Sequence, residues 1–276
     1  LAVFVPSHHI VQAPGTTPTG TVFALHGILG SGRNLRTLAT RLCQEAPRLR
    51  VVLVDMRCHG DSHDAPPPHT LRACADDLLT LARHLGTQPK VVLGHSFGGK
   101  VALVHAAMRP PELRQVWVLD ATPDAGRQGD DVTDALGVAE VVDLLEDVPL
   151  PLPSREALVT ELMARGASHA VAQWMTTNVQ PVAGGLTWKF DLPAVRELLA
   201  SYFATDVWPV LEQPPPGLDI HLVRAAREPR WTPRILQCLG QLPSTVHVHS
   251  LDAGHWLHVE DLTGLIALIA PHLRGL

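Results

Sequence analysis

The sequence predicts an α/β protein with a mostly parallel central sheet flanked by helices and a helical insertion. Three observations carry this. Short β-branched apolar runs alternate with helical stretches along most of the chain, as buried parallel strands joined by right-handed helical crossovers do. One such run, Val91-Val92-Leu93, leads through Gly94-His95-Ser96-Phe97-Gly98-Gly99 into the helix-forming Val101-Ala102-Leu103-Val104. Its glycines suit a tight strand–turn–helix in which two backbones approach closely. The third observation is an interruption: between Asp120 and Asp219 helical segments are legible but no core strand is.

In chain order, Ala2–Val5 and Ile10–Gln12 are expected to form an antiparallel hairpin at the sheet edge. Strands are expected at Thr21–Leu25, Arg50–Val54, Lys90–Leu93, Gln115–Asp120, Asp219–Val223 and Thr245–Leu251. Helices are expected at Leu35–Glu45, Leu71–Leu85, Lys100–Met108, Pro233–Leu242 and Asp261–Leu273, with Pro271 fraying the last because proline has no N–H to donate. Inside the interruption, Val132–Leu145, Arg155–Arg165 and Ala194–Phe203 read as amphipathic helices. Pro149, Pro151 and Pro153 punctuate the first join, and Pro214-Pro215-Pro216-Gly217 returns the chain to the sheet. The expected organisation is therefore a core segment over 1–122, a helical cap over 123–213 and a second core segment over 214–276. Such a cap covers the C-terminal strand ends, where open α/β sheets bind ligands.

Composition narrows the function classes. A chain of 276 residues suits one large domain with an inserted subdomain, and 46% hydrophobic with 18% charged residues is globular. A net charge of −5, from 22 basic and 27 acidic residues, offers no basic face for nucleic acid. Cys43, Cys58, Cys74 and Cys238 form no C-x-x-C pair and are expected to be reduced thiols of a cytoplasmic protein. Leu1–Pro6 is too short for a signal h-region, and no apolar run approaches the ~20 residues of a spanning helix. The oligomeric state stays open.

The strand–turn–helix around Ser96 has the form of a nucleophile elbow. A serine hydroxyl is a weak nucleophile at neutral pH, so it needs a base, an acid to orient that base, and oxyanion donors. With 16 histidines in the chain, position decides. His255 stands in Asp252-Ala253-Gly254-His255-Trp256-Leu257-His258-Val259-Glu260, after the last strand and before the last helix, and is the expected base. His258 reads as a satisfied local partner. His255, His258 and Glu260 lack any metal-ligand spacing, so no metal is expected. The expected oxyanion donors are the amides of Phe97, after the nucleophile, and Ile28, in the turn Leu25-His26-Gly27-Ile28-Leu29-Gly30. His26 is expected to hold that turn. The segment Asp55-Met56-Arg57-Cys58-His59-Gly60-Asp61-Ser62 reads as structural, its charged and imidazole groups locking neighbouring loops.

Two carboxylates compete for the acid. Glu228 follows the strand after the insertion but lies between Arg227 and Arg230, where a surface ion pair is the other reading. Asp120 ends Val116-Trp117-Val118-Leu119-Asp120, one strand after the elbow. The insertion's Trp174, Trp188, Phe190, Tyr202, Phe203 and Trp208 read chiefly as packing residues, with an apolar acyl pocket as the other use.

Together His26-Gly27, Asp55-x-Arg57-x-His59-Gly60-x-Ser62, Gly94-x-Ser96-x-Gly98-Gly99 and Gly254-His255-Trp256 resemble the α/β-hydrolase superfamily. Gly30-Ser31 with Asn34-Leu35, Gly99-Lys100 and Trp256-x-His258 are more narrowly similar to its YbfF-like esterase branch and eukaryotic abhydrolase-domain relatives. The resemblance implies the α/β-hydrolase fold and an esterase or thioesterase that acts on small acyl esters or thioesters without a cofactor. It favours Asp120 as the acid, with Glu228 the alternative. On this reading kcat/KM rises through an ionisation near the ordinary histidine range. The same triad also serves cofactor-free haloperoxidases or perhydrolases and C–C hydrolases or lyases. A non-catalytic ligand-binding protein of this fold is the remaining alternative.

Overall fold

The computed structural model describes residues 3–126, 132–133 and 136–276. Its first part runs β1 (His8–Gln12), β2 (Gly20–Leu25), α1 (Arg36–Glu45), β3 (Leu49–Val54), α2 (Leu71–His84), β4 (Val91–His95), α3 (Phe97–Ala107) and β5 (Gln115–Leu119). The insertion carries a short extended pair, β6 (Val132–Thr133) and β7 (Leu136–Gly137), then α4 (Val138–Glu146), α5 (Arg155–Ala164) and α6 (His169–Met175). A hairpin of β8 (Val179–Val182) and β9 (Gly185–Trp188) follows, then α7 (Leu192–Ala204) and α8 (Trp208–Glu212). The chain ends with β10 (Asp219–Ala225), α9 (Pro233–Leu239), β11 (Val246–Leu251), α10 (Leu257–Glu260) and α11 (Leu262–Leu273).

The central sheet has seven strands in the order β1-β3-β2-β4-β5-β10-β11. All neighbours are parallel except β1, which runs antiparallel to β3. Strands β2, β4 and β5 are buried throughout, which is why they read as continuous apolar runs rather than alternating ones. One sheet face packs Phe23, Val52 and Val116 against Leu78 of α2, Val101 of α3 and the insertion's Leu158 and Leu198. The other packs Val22, Val51 and Trp117 against Leu38 and Leu42 of α1 and Ile266 and Ile269 of α11. Side chains cap several of the helices: Thr70 accepts the Ala73 amide for α2, and Asp191 accepts the Ala194 amide for α7.

Three expectations are corrected. The N-terminal hairpin is absent among the described residues: Val3–Ser7 form no strand, and His8–Gln12 pairs with β3. (Residues 1–2 lie outside the described residues.) The helix expected from Val132 begins at Val138, behind an extended pair and an N-cap at Gly137; residues 134–135 of that expectation lie outside the described residues. Pro271 does not fray α11, which continues to a buried Leu273. So near the helix end, the lost N–H is outweighed by apolar packing. The short α6, α8 and the β8–β9 hairpin escaped the sequence because each is too brief to show a period.

Candidate active site

Ser96 sits between β4 and α3 with φ +52° and ψ −117°, a left-handed conformation that a non-glycine residue holds only under constraint. A Cβ on Gly94 would lie 2.0 Å from the Gly98 carbonyl oxygen, and one on Gly98 would lie 2.6 Å from that of Leu25. These two glycines are therefore what lets the strand, turn and helix meet. The Ser96 amide donates to the Leu119 carbonyl at 2.8 Å, pinning the turn to β5. Phe97 is the first residue of α3, where backbone amides have no partner within the helix.

Asp120, also at positive φ (+52°), follows β5 directly. Its side chain is fully buried, and Oδ2 lies 2.7 Å from Nδ1 of His255. Oδ1 accepts the Ala225 amide at 2.9 Å and the Trp231 indole N–H at 2.6 Å. The carboxylate is thus held in one orientation, and accepting Nδ1–H leaves the lone pair of the imidazole on Nε2. Burial raises the Asp120 pKa, opposed by Arg230 and by these two hydrogen bonds. Burial, the Arg230 cation and His258 push the His255 pKa well below the ordinary histidine value, which favours the neutral ring. His95, next to Ser96, donates from Nε2 to the His255 carbonyl at 2.8 Å and ties the elbow to the loop that carries the imidazole.

Glu228 is not the surface residue that its flanking arginines suggested. Its side chain is only 13% exposed, and Oε2 pairs at 2.8 Å with Arg230, itself 6% exposed. Oε1 accepts the His255 backbone amide at 3.0 Å. Both carboxylates therefore contact His255, Asp120 at the ring and Glu228 at the backbone. Arg227 instead pairs with Glu260, and Glu260 also accepts the Gly254 amide.

Around Ile28 the chain is held by four hydrogen bonds from two histidines. His26 Nδ1 donates to the Gly27 carbonyl at 2.7 Å, and its Nε2 accepts the Met56 amide at 3.0 Å. His59 Nδ1 donates to the Arg57 carbonyl at 2.9 Å, and its Nε2 accepts the Leu29 amide at 3.0 Å. Both rings are buried and neutral, their pKa values lowered to about 4 and about 3, chiefly by burial. Arg57 makes a bidentate pair with Asp77, and Asp55 accepts the amides of Gly32 and Asp61.

These elements meet at a cavity of ≈ 220 Å³ lined by Ile28, Ser96, Phe97 and His255. The insertion adds Val138, Val141, Val171, Trp174, Leu199 and Tyr202. Of the aromatics noted in the sequence, Trp174 and Tyr202 reach this cavity, whereas Trp188 and Phe190 stack on each other at 5.1 Å. The reading of His258 as a satisfied partner fails at Nδ1, which is buried without a hydrogen-bond partner among the described residues. Its ring packs edge-on against His95 at 4.5 Å, and its pKa is lowered to about 4, mainly by burial.

Sequence reasoning missed Arg230, Asn178 and Lys100 as site neighbours. Lys100, buried on α3, donates to the carbonyls of Asp124, Tyr202 and Thr205 and so ties the elbow helix to the insertion. A lysine four residues after the nucleophile, inside an apolar helix, was the available signal.

The model of the alpha/beta hydrolase family matches residues 22–267. The chain belongs to the alpha/beta hydrolase family. It is 31% identical over 272 residues to the lipase LipV of Mycobacterium tuberculosis, covering 95% of this chain and 97% of that one. It is 28% identical over 253 residues to the mouse sn-1-specific diacylglycerol lipase ABHD11, covering 91% of this chain and 80% of that one. Among solved structures, a marine microorganism esterase superposes with a TM-score of 0.81 at 18% identity, over 98% of this chain and 99% of that one. This hydrolase has no helix among its described residues long and apolar enough to cross a membrane.

Proposed function

We propose that the protein hydrolyses carboxylic esters or acyl thioesters through an acyl-enzyme on Ser96. The observation that supports this most is the convergence on one cavity of a serine in a left-handed turn and an imidazole whose Nδ1 faces a buried carboxylate at 2.7 Å. Ser96 Oγ attacks the acyl carbon while His255 Nε2 takes its proton. The carbonyl oxygen becomes an oxyanion that accepts from the amides of Ile28 and Phe97. Collapse breaks the bond to the alcohol or thiol, which leaves with the proton from His255. Water, deprotonated by the same ring, then releases the acid. Asp120 fixes the tautomer and steadies the imidazolium, and Glu228 holds the loop that carries it. The insertion, residues 123–213, acts as the cap that shapes the acyl site. Its apolar lining and the lipase names of the relatives favour esters with an apolar acyl group.

The test is rapid quench of a p-nitrophenyl ester reaction followed by peptide mass mapping. A burst of nitrophenol with an acyl mass on the Ser96 peptide is expected, and a missing burst or an adduct on another residue contradicts the reading. Profiling p-nitrophenyl esters against acyl-CoA thioesters of matched chain length then separates the two substrate classes.

A further inference from the structure

The amide of Ile28 belongs to the peptide unit whose carbonyl is Gly27. Because that unit is planar, fixing the carbonyl fixes the direction of the N–H. The Gly27 oxygen accepts from His26 Nδ1 and from the Gly30 amide at 3.1 Å, which secures one side of Ile28. The other side is Leu29, at φ +56°, a conformation unfavourable for a branched residue unless its neighbours enforce it. Its N–H is taken by His59. Its carbonyl is taken by Asn178, whose Nδ2 donates to it at 2.7 Å across 149 residues of sequence.

Asn178 is not part of the core. It lies between α6 and β8, buried, and its own carbonyl accepts the Lys189 amide at 2.7 Å. The foot of the insertion's hairpin is anchored beside it. The Asp191 amide donates to the Cys58 carbonyl at 3.1 Å, Phe190 forms a bridge to His59, and Lys189 pairs with Asp61 at 2.9 Å. Leu29 is therefore gripped from both parts of the molecule: by His59, whose loop is bridged to the insertion, and by Asn178, which comes from the insertion itself.

We propose that Asn178 is a positioning residue for the oxyanion loop, adding from the insertion, at the Leu29 side, a restraint on the Ile28 amide that the core contacts at Gly27 do not supply. This rests on the serine-hydrolase reading of Ser96. An unseated insertion removes the donor to Leu29, releases a strained residue, and loosens the neighbouring peptide. Substrate contacts with the insertion are thereby coupled to transition-state stabilisation without any insertion residue touching the reacting atoms.

The experiment compares N178D and N178A with the wild-type chain. The near-isosteric N178D sets a carboxylate oxygen against the Leu29 carbonyl in place of a donor. For each variant, kcat and KM are measured on a p-nitrophenyl ester. Inhibition is measured with a trifluoromethyl ketone, which forms a tetrahedral oxyanion adduct on serine, and with the matching alcohol, which does not. N178D should lose kcat by roughly 10- to 100-fold, short of the ~10²–10³ for deleting an oxyanion donor outright. Its KM should stay within about threefold, ketone affinity should fall in parallel with kcat, and alcohol affinity should hold; N178A should fall between. Unchanged kcat and ketone affinity in a folded N178D overturn the proposal, as does an equal loss for ketone and alcohol, which marks a purely structural role. If N178D does not fold, the same comparison on N178A decides. A wild-type enzyme that forms no ketone adduct overturns the serine reading itself, whereas normal wild-type inhibition with insensitive variants overturns Asn178 alone.

Discussion

The floor and the roof of the cavity are built by different rules. The floor comes from turns at the C-terminal ends of the central strands, and three of its residues, Leu29, Ser96 and Asp120, hold positive φ. Each is fixed by hydrogen bonds, Leu29 through its amide and carbonyl, Ser96 through its amide, and Asp120 through both carboxylate oxygens. The roof comes from helices of the insertion that present Val138, Val141, Val171, Trp174, Leu199 and Tyr202, a lining that is almost wholly apolar. Strain and hydrogen-bond direction set the floor, so its residues have no substitutes. Volume and shape set the roof, so its residues trade against one another. Substitutions in the floor should therefore alter rate, and substitutions in the roof should alter preference.

The largest effects belong to the floor. Ser96→Ala should keep the fold and lose ester hydrolysis by about 10⁴-fold or more, and His255→Ala should match it without adding to it in the double variant. Clear additivity, read from kcat of the three variants, would separate the two residues. Asp120→Asn should lower kcat by up to about 10⁴-fold, because an amide no longer enforces the Nε2 lone pair. Glu228→Gln should be intermediate. The amide oxygen can still accept the His255 N–H, but the charge that Glu228 sets against Arg230 is lost, and a loss of about 1.5 kcal/mol corresponds to roughly tenfold in rate.

The acid response comes next. Since burial and Arg230 depress the His255 pKa, the rising limb of kcat/KM should lie below the ordinary histidine range, with a level profile at neutral pH. A midpoint at or above 6.5 would show that the Asp120 carboxylate outweighs both. Stability follows the same sign. His26 and His105, the latter buried on α3, have pKa values lowered to about 4 and His59 to about 3, each below the unfolded value of 6.5. Their stabilising contribution is complete above pH 6.5 and is lost as pH falls towards 4, because unfolding then takes up protons. The urea midpoint should drop across that window, and a flat midpoint would contradict it.

The smallest effect is expected from the roof. Trp174→Ala should shift acyl-chain preference, with a change on the order of tenfold in the ratio of long- to short-chain kcat/KM. Its kcat on an acetyl ester should stay within a few-fold. A collapse of acetyl turnover would show that the roof participates in the chemistry.

What the sequence revealed divides along the same line. Glycines at 94, 98 and 99 announce the turn around Ser96 because close backbone approach tolerates little else, and the continuous apolar runs of β2, β4 and β5 announce buried parallel strands. Asp120 was legible as a strand-end carboxylate, and the resemblance favoured it over Glu228, but chain order alone did not separate the two. Both stand in the right chain order, and only folding shows that one meets the imidazole and the other the backbone. Arg230 looked like a surface cation because sequence carries no sign of burial. Asn178 gave no sign of its contact with Leu29, and Lys100, although a lysine within an apolar helix was a signal, gave none of its partners, since both donate to backbone carbonyls that have no residue signature. The short helices and hairpin of the insertion lacked length to show a period, whereas its long α5 and α7 did not.

The most direct test of the central relation, a Ser96 hydroxyl activated by a His255 ring that Asp120 orients, is the rate of fluorophosphonate labelling. It is followed by intact mass in the wild type, D120N and E228Q side by side, with the adduct mapped to its peptide. One adduct on Ser96 is expected, formed fast in the wild type, about tenfold slower in E228Q and slower by up to about 10⁴-fold in D120N. Labelling that is unaffected in D120N but abolished in E228Q, or an adduct away from Ser96, would contradict it.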